Sequence, residues 1–381
     1  MDAKLLFSSR SLLNFSGTTL FWLLGIGLSI AAVIFDYTSG GFERLELSLT
    51  LPMLICAVSV SLIGAWVVPL LQRLKAGQVI REDGPQAHLK KAGTPTMGGI
   101  FFVPVGILVA LIWSFASPTV QAADKLSVLA VSALTLAYGF IGWLDDWQIL
   151  RRKSNKGISP QMKLALQFGF GALFCLWTAL QVYFYQSIPA ENITAIAFPF
   201  GLILPLAWLF WPLAEFALVA ESNATNITDG VDGLMAGMGA IALLGLGAIV
   251  APTTPGLALF CACMSGSCLG FVSHNRNPAR VFMGDTGSLA LGGALAAVAI
   301  LTNTLWPLFL ISGIFFVESL SVIAQVAYYK ATKGPDGIGK RLFKMAPFHH
   351  HLELSGWSEL KIVGVFYVLE AFLVILALAF R

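Results

Sequence analysis

Residues 223–252 read NATNITDGVDGLMAGMGAIALLGLGAIVAP. The last twenty, 233–252, carry no charge. That is long enough to cross a bilayer as one helix, which takes about 20 mostly apolar residues. The ten before them hold Asn226, Asp229 and Asp232 and no basic residue. An uncharged span joined directly to a cluster of carboxylates sets the pattern for the rest of the chain.

Ten more apolar runs of similar length surround this one, near 18–36, 47–71, 98–117, 126–144, 163–187, 199–219, 256–273, 287–303, 306–328 and 362–380. The composition agrees: 57% hydrophobic and 11% charged, with mean hydropathy +0.81. A soluble domain is nearer half apolar and a quarter charged. The sequence predicts an all-α polytopic integral membrane protein. Residues 1–46 read as an N-terminal extension with one apolar span, and 47–381 as a membrane-embedded body of ten.

Short loops show the orientation, because Lys and Arg are retained on the cytoplasmic side. Alternate loops carry 20 of the 23 Lys and Arg, leaving only Arg44, Lys125 and Arg381 on the other side. The N-terminus, with Lys4 and Arg10, falls on the basic side, as do loops 72–97, 145–163, 220–232, 274–286 and 329–361. That side is expected to face the cytoplasm. The five cysteines all fall within apolar runs and read as small core residues. The first span lacks a small-residue cleavage site after it, and no nucleic-acid motif is present.

The chemistry-bearing residues gather on the basic side. All five histidines are there, with Asp145, Asp146, Asp229, Asp232 and Asp285. Adjacent carboxylates such as Asp145 and Asp146 repel unless a cation or proton intervenes, although taken alone such a pair is more simply explained by a solvated helix end. Asn226, Asp229 and Asp232 recur every third residue, which would line them along one side of a helical turn. Asp285, in Phe282-Met-Gly-Asp-Thr-Gly-Ser288, is either a helix cap or a ligand for a hard cation. Mg²⁺ takes oxygen ligands, often one or two carboxylates plus substrate phosphates. Three consecutive histidines, His349–His351, cannot all point one way and suit an anionic substrate better than zinc. Gly84–Gly99 has lysines, hydroxyls and glycines fit for contacting phosphate, but it is not a Walker motif.

Five stretches together, Gly93–Gly99, Gly142–Asp146, Asn223–Gly233, Phe282–Ser288 and Ala346–Glu353, resemble the phospho-N-acetylmuramoyl-pentapeptide transferases, a branch of the polyprenyl-phosphate hexose-1-phosphate transferases. The Pro-x-His-His-His-x-Glu run is characteristic of that branch. The resemblance covers the chain from about residue 47 onward. It implies ten spans, an active site of cytoplasmic loops in the bacterial inner membrane, and Mg²⁺. The substrates it implies are UDP-MurNAc-pentapeptide and undecaprenyl phosphate, giving lipid I and UMP. By the same resemblance Asp285 would bind Mg²⁺, and Asp145 would be a base or a nucleophile. Asp146 would assist metal or phosphate, and Lys91, with Thr94 and Thr96, would meet the donor phosphates. Asn226, Asp229, Gly230, Asp232, Asn275 and Phe282 would surround uridine and metal, with Phe282 stacking on the base. His349, His350 and His351 would recognise the muramoyl donor, His350 with a catalytic part. The chain departs from the family where a lysine often stands four residues after Asp145: here it is Ile149, leaving Arg151 or Arg152 to substitute.

Three rival readings stand beside this one, and the weakest, a purely structural scaffold, leaves the loop motifs unexplained. A relative that transfers N-acetylglucosamine 1-phosphate shares the aspartates and the lipid but has a different histidine pattern. A secondary transporter would place its polar groups near the bilayer midplane, where Glu318 and Glu370 are the candidates. The sequence leaves open whether two copies pair as a homodimer.

Overall fold

The computed structural model describes residues 16–74, 91, 93–152, 154, 156–183 and 194–381. Lys4, Arg10 and the Gly84–Lys90 half of the expected phosphate loop, with His88, lie outside the described residues. Among those described, helices dominate: α1 (Gly17–Ser39), α2 (Thr50–Arg73), α3 (Gly99–Ala116), α4 (Ala122–Arg152) and α5 (Pro160–Tyr183). A two-stranded antiparallel hairpin follows, β1 (Ala195–Ala197) with β2 (Ile203–Pro205), in register Ala195 to Pro205. Then come α6 (Phe210–Thr228), α7 (Leu234–Val250), α8 (Pro255–Asn275), α9 (Gly284–Leu301), α10 (Leu305–Ile311), α11 (Gly313–Ala331), α12 (Phe348–Leu354) and α13 (Glu359–Ala379). In hydrocarbon a backbone must satisfy its own hydrogen bonds, and a helix does so within one segment.

Eight of these helices are long and apolar enough to cross a membrane; α10 and α11, bent by 69° at Ser312, make a ninth if taken as one span. The chain is a multi-pass membrane protein. The eleven expected spans are therefore not all alike. Helix α7 has only 17 residues, and α6, carrying Glu215, Glu221 and a polar last turn, is not among the candidates. The expected span at 199–219 starts late. Pro199, Gly201 and Pro205 break it, and Phe200 takes a left-handed φ of 64°, so the chain forms the hairpin and enters the helix only at Phe210.

Helices α7, α8 and α9 form the centre. The apolar windows of α8 and α9 are 94% and 89% buried, against 22% for α1. Small residues allow the approach: a Cβ at Gly266 would overlap the Met53 backbone of α2, and one at Gly292 would overlap α6 at Glu221–Ser222. The five cysteines are free and buried, as expected.

Helix α1 packs on this body through Leu20, Leu24, Leu28, Ala32 and Asp36, spaced four apart. Buried Asp36 ties it to the next helix. Its carboxylate accepts from Ser48 Oγ (2.6 Å), Leu49 N (2.9 Å) and Thr50 N (3.1 Å), and so caps α2. Between its ends α1 stands off α7 and α13 across an apolar groove of about 1230 Å³.

Candidate active site

The functional side chains meet at one end of the bundle, where α4, α6 and α8 finish and α5, α7, α9 and α13 begin. The site is built mostly on helix ends rather than on free loops. Helix α4 continues past the expected boundary at Leu144 to Arg152, so Asp145 and Asp146 lie on the helix itself.

Asp146 holds the first turn of α9. Its carboxylate accepts from Thr286 Oγ1 (2.6 Å), Thr286 N (3.0 Å) and Asp285 N (3.3 Å). The carboxylate thus takes up orphan donors at a helix N-terminus, where negative charge is favourable. Gly142 makes the contact feasible, since a Cβ there would overlap the Asp285 carbonyl. Gly284, with φ of 71°, turns the chain into α9 beside Thr96 and Asp146. The Thr94–Gly99 stretch pairs with the segment leading to that turn: Phe282 N donates to the Pro95 carbonyl (2.8 Å), and Gly98 N and Gly99 N donate to the carbonyls of Phe282 and Met283 (2.9 and 3.0 Å). Thr96 is buried and Thr94 half-buried.

Asp285 is held from two sides. Lys163 Nζ lies 2.6 Å from its Oδ2, and Asn226 Nδ2 donates to its Oδ1 at 2.8 Å. Lys163 also reaches Asn226 Oδ1 (3.2 Å), and Asn226 is braced by Ser288 Oγ (2.9 Å). The Asp145 carboxyl accepts from Ile158 N (3.0 Å) and makes hydrogen-bonding contact with that of Asp285. Two carboxyls that close need a proton or a cation between them. Among the described residues a cation beside the cluster is Lys163, which the sequence marks only as one more basic residue where a span begins. Arg152 is spent on the Gly157 carbonyl (3.2 Å).

A second centre sits alongside. Lys91 Nζ bridges Asp232 Oδ1 (2.8 Å) and Glu359 Oε2 (2.9 Å). Asn277 Nδ2 reaches the same two carboxylates at 3.2 and 2.8 Å, and Ala279 N donates to Asp232 at 3.0 Å. Burial pulls the Lys91 pKa down, but the charges of Asp232 and Glu359 outweigh it and leave it raised. Asn275 has its amide occupied by backbone, accepting from Gly233 N (3.0 Å) and donating to the Val281 carbonyl (2.9 Å). It fixes loops to one another.

The three-residue spacing of Asn226, Asp229 and Asp232 does not place them on one helical face. Helix α6 stops at Thr228, because Gly230 and the left-handed Gly233 (φ 79°) open a turn. Asn226 consequently faces Asp285, and Asp232 faces Lys91. Asp229 lies between the two centres; burial, then the charges of Asp285, Asp146 and Asp232, push its carboxyl up to about 8.

The histidine run is helical and its side chains diverge, as consecutive residues on a helix must. His349 is fully buried against Glu318 of α11, which accepts from its backbone N (3.1 Å) and pairs with Nδ1 (3.1 Å). Its Nε2 meets Gly230, where a Cβ would collide with it. His350 pairs with Glu353 (2.6 Å) and lies ring to ring with His349 at 4.2 Å. His351 turns to Phe343 and Phe348. His274 is a packing residue of α8, bonded to the Ser61 carbonyl (2.8 Å).

Among the described residues no three His, Cys, Asp or Glu side chains enclose a point fit for a metal. Asp285 and Asp145 offer carboxylate oxygens only. That donor set suits a hard divalent cation drawing its remaining ligands from substrate oxygens and water.

Residues 128–303 match glycosyl transferase family 4, and residues 91–103 match signature 1 of the phospho-N-acetylmuramoyl-pentapeptide-transferases. The chain is 67% identical over 381 residues to the phospho-N-acetylmuramoyl-pentapeptide-transferase of Nostoc punctiforme, covering all of both chains. It is 62% identical to that of Gloeothece citriformis, again over all of both. With that of Acaryochloris marina it shares 56% over 365 residues, 95% of this chain and 94% of the relative. The first two matches extend over the whole chain, residues 1–46 included.

Proposed function

The chain belongs to the phospho-N-acetylmuramoyl-pentapeptide transferases, and on that footing we propose that it makes lipid I. It would move phospho-MurNAc-pentapeptide from UDP-MurNAc-pentapeptide to undecaprenyl phosphate, releasing UMP at the cytoplasmic face of a bacterial inner membrane. The observation that carries this reading is the convergence of Asp145 and Asp285, with Lys163, beside the Lys91–Asp232 centre.

In this reading an oxygen of the lipid phosphate forms a bond to the sugar-bearing phosphorus of the donor. The bond from that phosphorus to the UMP oxygen breaks, and UMP leaves with the electron pair. Such transfers are accelerated chiefly by positioning and charge neutralisation. Asp145 faces the reacting centre and keeps the lipid phosphate deprotonated or attacks the donor itself. Lys163 offsets negative charge at Asp285 and on the phosphates. Mg²⁺, held by Asp285 and Asp145, would neutralise charge on the diphosphate. Lys91 would meet the donor phosphates. Asp229, Gly230, Asp232 and Phe282 would line the uridine side, with Asn275 holding their loops. His349, adjoining Gly230, would link that side to the muramoyl group through His350.

The test is a transfer assay with the full-length protein and undecaprenyl phosphate, following UMP release with and without EDTA. UDP-MurNAc-pentapeptide and UDP-N-acetylglucosamine are compared as donors. Metal-dependent release with the muramoyl donor alone is the expected result; release with the other donor alone would reject the donor assignment.

A further inference from the structure

The first turns of α1 reach the donor side of the site. Ser16 caps the helix, accepting from Thr19 N (3.1 Å). Gly17 lies directly on the main chain of Asn277, and a Cβ at position 17 would overlap the Asn277 carbonyl oxygen. Thr18 Oγ1 accepts from Arg276 Nε (3.2 Å), and the Arg276 guanidinium lies 5.3 Å over the Phe21 ring. Residues 17, 18 and 21 thus grip one short segment, Arg276–Asn277. That segment also holds the second centre: Asn277 Nδ2 donates to Asp232 and Glu359, and Ala279 N donates to Asp232. Asp232 in turn pairs with Lys91.

We propose that the first two turns of α1 are a positioning element for the nucleotide part of the donor, setting the Asp232 carboxylate through Arg276 and Asn277. The inference rests on the reading that places the nucleotide beside Asp232 and Lys91. Packing alone does not require these contacts. The ridge of Leu20, Leu24, Leu28 and Ala32 already buries one face of α1, and Asp36 anchors its far end. A polar grip on a loop adds little apolar burial, but it fixes where that loop lies. Arg276 and Asn277 are consecutive, so loosening the grip on Arg276 shifts the main chain that carries the Asn277 and Ala279 donors to Asp232.

The experiment measures the dissociation constant of UMP and the steady-state rates of the full-length protein. Arg276→Ala and Gly17→Val are expected to weaken UMP binding and raise KM for the nucleotide sugar about tenfold, the size of coupling seen within a contact network. Their kcat is expected to stay within about twofold of wild type, as when binding shared by ground and transition state is lost. Asp36→Asn, at the far end of α1, is expected to lower the melting temperature and leave UMP binding unchanged. Because Gly17→Val is sterically severe, Arg276→Ala decides if that variant does not fold. Wild-type UMP binding by folded Arg276→Ala would overturn the proposal. Asp232→Asn separates the two readings. If it weakens UMP binding and Arg276→Ala does not, only the role of α1 falls. If Asp232→Asn itself binds UMP normally, the nucleotide placement falls and this proposal with it.

Discussion

Lys163 and Asp285, 122 residues apart in the chain, form an ion pair of 2.6 Å at the meeting of α5 and α9. Asn226 closes the triangle from α6. Among the described residues the lysine is the cation paired with Asp285. Lys163→Ala is expected to lower kcat about a hundredfold, the usual cost of removing one charge-stabilising group from a reacting centre. Lys163→Arg should keep more activity than Lys163→Ala. UMP release by the two variants checks the order, and equal rates would show that the charge is not what matters.

Asp146 and Asp285 are neighbours in space with different work. Asp146→Ala removes the acceptor from the first turn of α9, and a lost cap costs roughly 1 kcal/mol. A lower melting temperature in detergent is expected together with lost turnover. Asp285→Asn keeps shape and an acceptor, so its melting temperature should stay close to wild type while turnover nearly vanishes. Thermal unfolding of both variants beside their UMP release tests the distinction.

The three histidines should rank by position. His349→Ala removes the imidazole from fully buried Glu318, leaves it only the backbone N of residue 349 as donor, and opens a cavity beside Gly230. It should be the most damaging to both stability and rate. His350→Ala should impair turnover with smaller loss of stability. His351→Ala, which removes ring contacts with Phe343 and Phe348, should matter least to rate. A transfer assay in which His351→Ala is the slowest of the three would reject the ranking.

Asp229 gives a pH dependence. Its folded-state carboxyl is raised from 3.8 to about 8, so between those values the folded protein binds a proton that the unfolded chain has released. Stability from this group is full below pH 4 and is lost as pH rises through 8. Metal-free protein should therefore melt at progressively lower temperature from about pH 5 to 8, and Asp229→Asn should flatten that slope. A slope unchanged in the variant would assign the effect to other groups.

Much of this was legible in the sequence, for physical reasons. A bilayer forces long apolar runs, so the spans announce themselves, and the retained cations fix which loops share a side. The aspartates stood out because carboxylates without basic neighbours are conspicuous there. Three things were not legible. Lys163 looks like any lysine at the start of a span, and Glu359 like any acid in a first turn. The triplet spacing suggested a helical face, yet the glycines at 230 and 233 end the helix before it forms. The apolar run from 199 looked like a span because composition hides the two prolines that break it. Partners across the bundle depend on packing, which spacing along the chain does not encode.

The buried carboxylate of Asp36 has a consequence for how the chain is made. Its partners, Ser48, Leu49 and Thr50, come 12 to 14 residues later. During synthesis α1 emerges with the Asp36 carboxyl in its last turn and its three donors still to come, and a polar group buried without partners is costly. The two helices are therefore expected to settle into the membrane as a hairpin rather than one after the other. The same dependence acts on descent: a lineage that lost α1 would leave three donors at the head of α2 without an acceptor. Losing the segment would hand the capping of α2 to Ser48, whose Oγ already accepts from Leu51 N (3.2 Å), and to water.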